Sequence, residues 1–225
     1  MLCATAMTSP PPLHPKILGD LRSAASPAAL AEVTQALARA AAALEDDRPD
    51  EALPPALEVK RRVPRSRHGR EILGLVYYRL GRFPEAVAEL RAYRRMSGDS
   101  GRDVVLADAE RAVGKTGDAS RRLEAVVADP AVGEDERTEA RIVLAAIEAD
   151  AGRFDEARAT LGRGPVEPRR LEEHHLRLWY ALGDVEERAG RPDDARRWFE
   201  KVNSAEPGWG DAAEKLKRLR RRRGG

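Results

Sequence analysis

The sequence has almost no cysteine, and its apolar residues never form a long run. Cys3 is the only cysteine, so no intramolecular disulfide can form, and the class of small disulfide-stabilised secreted domains is excluded. No stretch approaches the roughly 18 apolar residues that a membrane span needs. Pro10, Pro11 and Pro12 stand where an export signal would have its apolar segment. We therefore predict a soluble, unexported protein of the reducing cytoplasm, with no membrane span.

The sequence also lacks a recognisable catalytic set. No Ser/His/Asp or Cys/His arrangement is evident, and residues 114–116 (Gly-Lys-Thr) lack the upstream glycine and the preceding strand of a phosphate-binding loop. His174 and His175 follow two glutamates, but neighbouring helical residues point about 100° apart and cannot easily share one metal ion. A solvated helix start is the expected structure there. We predict no enzyme activity, no metal site and no cofactor.

Aromatic residues make up only 4% of the chain, whereas 42% is apolar and 35% is charged. Apolar content carried by Ala, Leu and Val favours one long helical domain. The total charge of +2 is unevenly distributed, because residues 214–225 carry +6 and leave −4 for residues 1–213. The chain therefore has a mildly acidic body and a basic tail.

A short phrase recurs along the chain. It reads GRFPEA at Gly81–Ala86, GRFDEA at Gly152–Ala157 and GRPDDA at Gly190–Ala195, with weaker copies at residues 47–52 and 114–119. The last alanines of successive copies lie 33 to 38 residues apart. Periods of this size indicate stacked helical hairpins.

Apolar periodicity, interrupted at Gly, Pro and Asp, predicts a succession of helices. They are expected at residues 26–44, 50–61, 68–80, 84–97, 102–114, 117–128, 134–151, 155–162, 169–189, 193–204 and 209–222. Two glycines and two prolines between Gly162 and Pro168 predict a loop at which neighbouring repeats could hinge. The first 25 residues are rich in Pro and Ser and are predicted to be disordered.

The repeated segments resemble tetratricopeptide repeats, whose pattern combines Trp, Leu-Gly, a later aromatic residue, Ala and Pro. The last repeat shows the closest similarity, through Trp179, Leu182, Gly183, Gly190, Ala195, Phe199 and Pro207. In register, the repeats fall near residues 33–66, 67–100, 100–133, 138–171 and 176–209. The resemblance implies an all-α fold: an α-solenoid of about five antiparallel helix pairs over residues 26–209. A capping helix with the basic tail follows at residues 210–225.

The same resemblance implies a binding groove, because the first helices of such pairs line a concave surface that holds a peptide. The corresponding residues are His68, Glu71, Leu75, Tyr78, Val104, Asp108, Arg111, Ile142, Ala146, Tyr180, Asp184 and Glu187. Chaperone-binding members carry a Lys and Asn clamp at positions that here are Leu37, Ala41, Ile72, Gly101 and Val105. We therefore expect a protein ligand other than a chaperone's acidic terminus.

Three glutamates replace an aromatic residue of the family pattern, at Glu110, Glu148 and Glu186. One interpretation is a solvated helix face, since unpaired carboxylates are rarely buried. The other is an acidic ladder that binds arginines, either from neighbouring helices or from a partner.

The basic tail gives an alternative function. Ala212, Leu216 and Leu219 share one helix face and should pack on the last repeat as a cap. The cations, predicted to stand in water, are Lys215, Lys217, Arg218, Arg220, Arg221, Arg222 and Arg223. They favour nonspecific nucleic-acid binding by a regulatory or RNA-associated protein.

Our first prediction from the sequence remains a non-catalytic adaptor that holds a segment of a partner protein in its groove. Self-association through a terminal repeat is a third alternative. Lysine occurs at only six positions while arginine is abundant, which we associate with a bacterial genome rich in GC.

Overall fold

The computed structural model describes residues 13–222, which form twelve α-helices and no strand. In chain order the helices are α1 Pro15–Ala24, α2 Pro27–Glu45, α3 Pro49–Arg62, α4 Arg67–Arg79, α5 Phe83–Ser97, α6 Asp103–Ala112, α7 Thr116–Ala128, α8 Glu134–Asp150, α9 Phe154–Gly162, α10 Glu173–Arg188, α11 Pro192–Ala205 and α12 Ala212–Arg222. The all-α fold of paired helices with a C-terminal capping helix is confirmed. Most predicted bounds lie within two residues of the observed ones.

Helix α1 is the main departure from the prediction. The sequence predicted a disordered lead over residues 1–25, but the chain is helical at Pro15–Ala24. Leu21 on this helix is completely buried, in a cluster with Val33 and Leu37 of α2. One well-placed leucine thus outweighs the proline-rich composition on which the prediction rested. Residues 1–12 of the predicted lead lie outside the described residues.

The glycine of each repeated phrase ends the helix before it. Gly81, Gly152 and Gly190 have φ values of 68°, 76° and 73°, in the left-handed region that a β-carbon disfavours. The next residue closes the turn: the Arg82 N–H donates to the Tyr77 carbonyl at 2.8 Å. This geometry explains why the phrase begins with glycine.

A second glycine lets the helices of a pair approach closely. A β-carbon at Gly74 of α4 would lie 2.7 Å from Leu90 Cγ, and one at Gly183 of α10 would lie 2.7 Å from a ring carbon of Phe199. Both distances are shorter than real contacts allow. The Leu-Gly pair of the repeat pattern is therefore a packing requirement of α4 with α5 and of α10 with α11.

The chain divides into two compact units, residues 1–114 and 115–225. The N-terminal unit holds α1 to α6. Of its first helices, α4 contacts both α2 and α6, and α3 and α5 pack beside them. Leu73, Leu90 and Leu106 form the centre of its larger apolar core.

The C-terminal unit holds α7 to α12. One of its cores joins α8, α9 and α10 around Leu161 and Leu178, and the other joins α10, α11 and α12 around Phe199 and Leu216. Helix α12 packs on α11, as the capping-helix prediction requires.

Candidate binding surfaces

Seven of the predicted groove residues lie on helices α4 and α6 of the N-terminal unit. They are His68, Glu71, Leu75, Tyr78, Val104, Asp108 and Arg111. All seven are half-buried, an exposure that leaves a side chain held by its neighbours yet able to touch a ligand. We call this surface the α4–α6 face.

Tyr78, Asp108 and Arg111 form a hydrogen-bonded group on the α4–α6 face. The Tyr78 hydroxyl donates to Asp108 Oδ2 at 2.6 Å, and Arg111 Nε donates to Asp108 Oδ1 at 2.9 Å. Burial raises the pKa of Tyr78, and the hydrogen bond to Asp108 raises it further. The phenol therefore stays protonated near neutral pH, and its ring is held edge-on to Phe83 at 5.9 Å.

A second polar group lies two turns earlier on α4. Glu71 accepts a hydrogen bond from Arg102 Nε at 2.8 Å and lies 3.1 Å from His68 Nδ1. Burial acts against the charged form, but the hydrogen bonds from His68 and Arg102 outweigh it and lower the pKa of Glu71. Glu71 is thus an ionised and positioned carboxylate.

Leu75 and Val104 supply the apolar part of the same face. Leu75 lies one helical turn from both Glu71 and Tyr78, and Val104 lies one turn from Asp108. Both are half-buried and neither has a polar group to satisfy. The α4–α6 face therefore combines an apolar centre with polar groups whose positions are already fixed, a combination typical of ligand-binding surfaces.

Three predicted groove residues on α10 have a different environment, because α12 reaches them. Lys215 Nζ lies 2.7 Å from Asp184 Oδ1 and 3.4 Å from Glu187 Oε2, and Arg218 Nη2 lies 2.7 Å from Glu187 Oε1. Tyr180 donates its hydroxyl hydrogen to Asp211. The open groove expected beside α10 is therefore occupied by the chain's own last helix.

Lys215 corrects the prediction for the basic tail. The sequence placed it in water, but only 8% of its surface is exposed. Its ammonium lies 5.2 Å from the ring centres of both Tyr180 and Phe199, in addition to its contact with Asp184. A lysine can bury its aliphatic stem when its charge finds an acidic partner, and here α10 provides that partner.

The remaining tail cations divide between two environments. Arg218 is exposed but ion-paired with Glu187, whereas Lys217, Arg220 and Arg221 are exposed on α12. Arg220 has one distant acidic neighbour, Glu200, at 3.9 Å. The side chain of Arg222 and the whole of Arg223 lie outside the described residues.

The two groove residues predicted on α8, Ile142 and Ala146, are half-buried. Ile142 packs against the core around Leu161 and Leu178. It therefore contributes to the interior of the C-terminal unit as well as to its surface.

Two of the three unusual glutamates are buried and paired with arginines of neighbouring segments. Glu110 is fully buried and accepts a hydrogen bond from Arg91 Nε at 2.8 Å. Glu186 is buried and lies 3.1 Å from Arg191 Nη1 and 3.5 Å from Arg158 Nη1. For these two, the solvated-face interpretation is wrong and the arginine-binding interpretation is correct. Glu148 is half-buried, and its Oε2 has no hydrogen-bond partner among residues 13–222.

The loop between α9 and α10 is held in place by a lysine of α11. Lys201 Nζ donates to the Val166 carbonyl at 3.1 Å, pairs with Glu167 and lies 4.4 Å from the ring centre of Trp179. Trp179 Nε1 donates to the same carbonyl at 2.8 Å. The predicted loop is present, and these contacts tie it to the helices beside it.

The two histidines at the start of α10 have a structural role. Both are buried, contrary to the predicted solvated helix start. His175 Nδ1 accepts a hydrogen bond from the Glu172 N–H at 2.9 Å, which closes a reciprocal cap at the first turn. Within the described part of the chain, no group of three His, Cys, Asp or Glu side chains could hold a metal ion.

A pocket that the sequence did not predict lies in the C-terminal unit, where α10 begins and α11 ends. Its volume is about 380 Å³, and it is lined by Leu171, Glu172, Glu173, Leu176, Glu206 and Trp209. The two groups of residues are at least 30 positions apart in the sequence. Only the exposed Leu171, in a loop rich in Pro and Gly, was a local signal.

Comparison with known sequences decides the family. One tetratricopeptide repeat family matches residues 28–100 and 104–167, and another matches residues 176–219. The chain belongs to the tetratricopeptide repeat family. Repeats of this family generally mediate protein–protein interaction, and their fold is typically a non-catalytic scaffold. The second match includes most of α12, so the capping helix is part of the repeat pattern.

Known tetratricopeptide repeat structures share the fold at low sequence identity. The apo form of the quorum sensor NprR from B. thuringiensis has a TM-score of 0.67 and 13% identity, over 84% of this chain and 57% of that one. A tetratricopeptide repeat protein from Parabacteroides merdae has a TM-score of 0.63 and 18% identity, over 91% and 78%. A thermophilic one from Thermus thermophilus has 0.60 and 16%, over 83% and 98%.

These likenesses establish the fold alone. This chain spans little more than half the length of the quorum sensor. No curated protein matches the sequence closely enough to count as a relative. Among residues 13–222, none of the tetratricopeptide helices is both long and apolar enough to cross a membrane.

Proposed function

We propose that this tetratricopeptide repeat protein is a non-catalytic adaptor that binds a segment of a partner protein on the α4–α6 face. The observation that carries the proposal is the state of that face: Leu75 and Val104 are half-buried, while Tyr78 and Glu71 beside them are held by hydrogen bonds. A surface already ordered in the free protein loses little entropy when a ligand binds. On the equivalent surface of α10, Asp184 and Glu187 already pair with Lys215 and Arg218 of α12.

The chemistry of the face defines the partner segment. An apolar side chain of the partner would pack between Leu75 and Val104, since burying such a group contributes about 1.5–3 kcal/mol. Hydrogen-bonding groups on either side would meet the fixed Asp108 and Glu71 carboxylates, so donor-bearing residues should flank the apolar anchor. The cytoplasm and a bacterial origin remain our predictions for its setting, supported by the single cysteine and the preference for arginine.

Affinity capture from the native host, with nuclease added, tests the adaptor function. The test variant is Leu75→Gln with Val104→Gln, which replaces both apolar side chains by a polar one that a helix tolerates well. The control is Leu57→Gln, because Leu57 is a leucine of α3 that is 40% exposed and lies outside the α4–α6 face. A partner protein captured in near-equal amount should persist with the control and fall at least about tenfold with the test variant.

Stability must be measured alongside, because both test positions are half-buried. Equal thermal midpoints for the test and control variants would attribute the loss of partner to the surface. Retention of the same partner by a folded test variant would show that the α4–α6 face is not the binding surface.

The exposed cations Lys217, Arg220 and Arg221 support a second candidate, nonspecific nucleic-acid binding. Ion pairing of Lys215 and Arg218 within the protein leaves fewer cations for that purpose. Replacing Lys217, Arg220 and Arg221 together by Gln keeps the buried face of α12 intact. Nucleic-acid binding through the tail should then disappear, and in the natural chain it should weaken steeply between low and moderate salt.

A further inference from the structure

We propose that the pocket where α10 begins and α11 ends binds the arginine side chain of a partner protein. The pocket is the cavity of about 380 Å³ lined by Leu171, Glu172, Glu173, Leu176, Glu206 and Trp209. All of these residues belong to the C-terminal unit, so this site is separate from the α4–α6 face and goes beyond the proposed function.

The apolar wall of the pocket is already formed. Leu176 is only 2% exposed, and it belongs to the same core cluster that Trp209 packs against. The Trp209 ring is held beside Tyr180 with their centres 5.5 Å apart. A flat aromatic surface fixed in this way can receive a cation on its face.

The mouth of the pocket leaves an apolar side chain in water. Leu171 is 43% exposed, one of three large apolar residues with such exposure among residues 13–222. The other two, Leu57 and Met96, belong to the N-terminal unit. A partner residue next to the bound arginine would cover Leu171.

The rim of the pocket carries three carboxylates, those of Glu172, Glu173 and Glu206. Glu173 lies 3.1 Å from Arg177, but the same arginine also contacts Asp135 and Glu139. Glu206 is exposed and takes part in no ion pair among residues 13–222. A cation supplied from outside would therefore be attracted to this rim.

The end of α11 reinforces the need for a cation. Glu206 is the C-cap residue of α11, and the last turn of that helix contains no basic residue. The C-terminal end of a helix carries partial negative charge and is stabilised by cations and destabilised by a carboxylate. A guanidinium group placed there would compensate both the helix end and the Glu206 carboxylate.

The shape of the site favours arginine over a metal ion. No set of three acidic or histidine side chains among residues 13–222 could surround one ion. A guanidinium group is planar, so it can stack on Trp209 while its N–H groups point to carboxylates on different sides. A lysine ammonium is a compact point charge and would satisfy fewer of these groups at once.

Titration with a short peptide tests the site directly. The probe is acetyl-Gly-Leu-Arg-Gly-amide, and the matched peptide has Gln in place of Arg. Binding is followed through the indole N–H signal of Trp209 in ¹⁵N-labelled full-length protein, assigned with the variant Trp209→Phe. We expect a saturable shift in the millimolar range with the arginine peptide and none with the glutamine peptide.

Two protein variants complete the test. Glu206→Gln should weaken the arginine peptide about tenfold, because a charge-assisted hydrogen bond is lost. Glu124→Gln, an exposed glutamate of α7 in the same unit, should leave its affinity unchanged.

Three results would overturn the proposal: equal shifts with both peptides, no saturation with the arginine peptide, or unchanged affinity in Glu206→Gln. A fourth concerns a second copy of the chain. If the Trp209 signal moves with protein concentration alone, and replacing Lys217, Arg220 and Arg221 together by Gln stops it, the occupant is the basic tail of another molecule and not a partner's arginine.

Discussion

Helices α4 and α10 hold corresponding places in the two units, but their exposed faces have different neighbours. Beside α4, helix α6 supplies both Asp108 and its own cation Arg111, and the apolar Leu75 remains partly exposed. Beside α10, helix α12 supplies Lys215 and Arg218 to Asp184 and Glu187. The difference shows how one repeat pattern yields either a partly exposed face or a capped end.

The capped end at α12 depends on complementary charge as well as on apolar packing. Leu216 and Leu219 of α12 are almost fully buried, and Lys215 between α12 and α10 is nearly as buried as they are. A repeat array needs a terminal element that is apolar on the inside and polar on the outside. Helix α12 meets that need with residues that the sequence presents as a basic tail.

Removal of α12 should give the largest loss of stability. Deleting residues 210–225 takes away Leu216 and Leu219 and uncovers Phe199, so we expect the C-terminal unit to lose about 3–5 kcal/mol of unfolding free energy. All three tryptophans, Trp179, Trp198 and Trp209, lie in the C-terminal unit. Urea unfolding followed by tryptophan fluorescence therefore reports on that unit.

A shorter deletion and a synthetic helix serve as controls for this first prediction. Deleting residues 223–225 alone should leave the urea midpoint unchanged. Adding a peptide of residues 210–222 to the truncated protein should raise the midpoint again, because it restores the cations beside Asp184 and Glu187. An unchanged midpoint after the long deletion would contradict the role of α12 as a cap.

The second prediction compares the glycines of the two Leu-Gly pairs, Gly74 of α4 and Gly183 of α10. In Gly183→Ala the new β-carbon meets the Phe199 ring at 2.7 to 3.0 Å. In Gly74→Ala it meets the Leu90 side chain at 2.7 to 2.8 Å and the Leu90 backbone nitrogen at 3.3 Å, and the leucine side chain can adjust more than a ring can. We expect a cost of about 2 kcal/mol at Gly183 and about 1 kcal/mol at Gly74. Thermal or urea unfolding of the two variants checks this order.

Gly19 provides the control for those substitutions. It lies within α1, and a β-carbon there would meet nothing within 4 Å. Gly19→Ala should therefore stabilise the N-terminal unit by up to about 1 kcal/mol through helix preference alone. Equal losses of unfolding free energy in Gly74→Ala and Gly183→Ala would show that the rigidity of the Phe199 ring does not distinguish the two helix pairs.

The stability that the Lys215 contact contributes should be lost at alkaline pH. Burial opposes its charge, but the hydrogen bond to Asp184 prevails and raises the pKa of Lys215. Burial also raises the pKa of Tyr180 to about 12. Both pKa values lie above those of the unfolded chain, so this stabilisation is complete below about pH 10 and is lost as the pH rises towards 12 and beyond.

Urea midpoints at pH 8 and pH 11 measure that loss. The natural chain should be less stable at pH 11, and part of the difference should disappear in Lys215→Gln with Tyr180→Phe. At pH 8, Lys215→Gln should cost on the order of 1 kcal/mol, since Asp184 and Glu187 remain partly solvated. The same pH response in the natural chain and the double variant would assign the effect to other groups.

Sequence alone predicted the helices well because the residues that end each helix lie next to it in the sequence. Gly81, Gly152 and Gly190 each specify a left-handed turn, and the apolar residues between them recur with helical period. Helix α10 starts at Glu173 instead of 169 because the cap made by Glu172 and His175 involves a side chain whose role the pattern does not reveal.

Long-range contacts account for the predictions that failed. Leu21 is buried only because α2 lies against α1, and composition suggested disorder instead. Lys215 is buried only because Asp184, 31 residues earlier, neutralises it. The pocket lined by Leu171 and Trp209 likewise joins distant segments, so no local pattern could predict it.

The prediction with the smallest expected effect on stability compares the exposed cations of α12 with its buried lysine. Lys217, Arg220 and Arg221 are exposed, whereas Lys215 of the same helix is buried. Replacing the three exposed cations together by Gln should change the unfolding free energy by less than about 0.5 kcal/mol, because exposed charges contribute little to stability. Urea unfolding beside the Lys215→Gln variant measures both changes under one condition. If the triple variant were the less stable of the two, the cap would depend on the outer charges of α12, and the comparison between α4 and α10 would need a different physical basis.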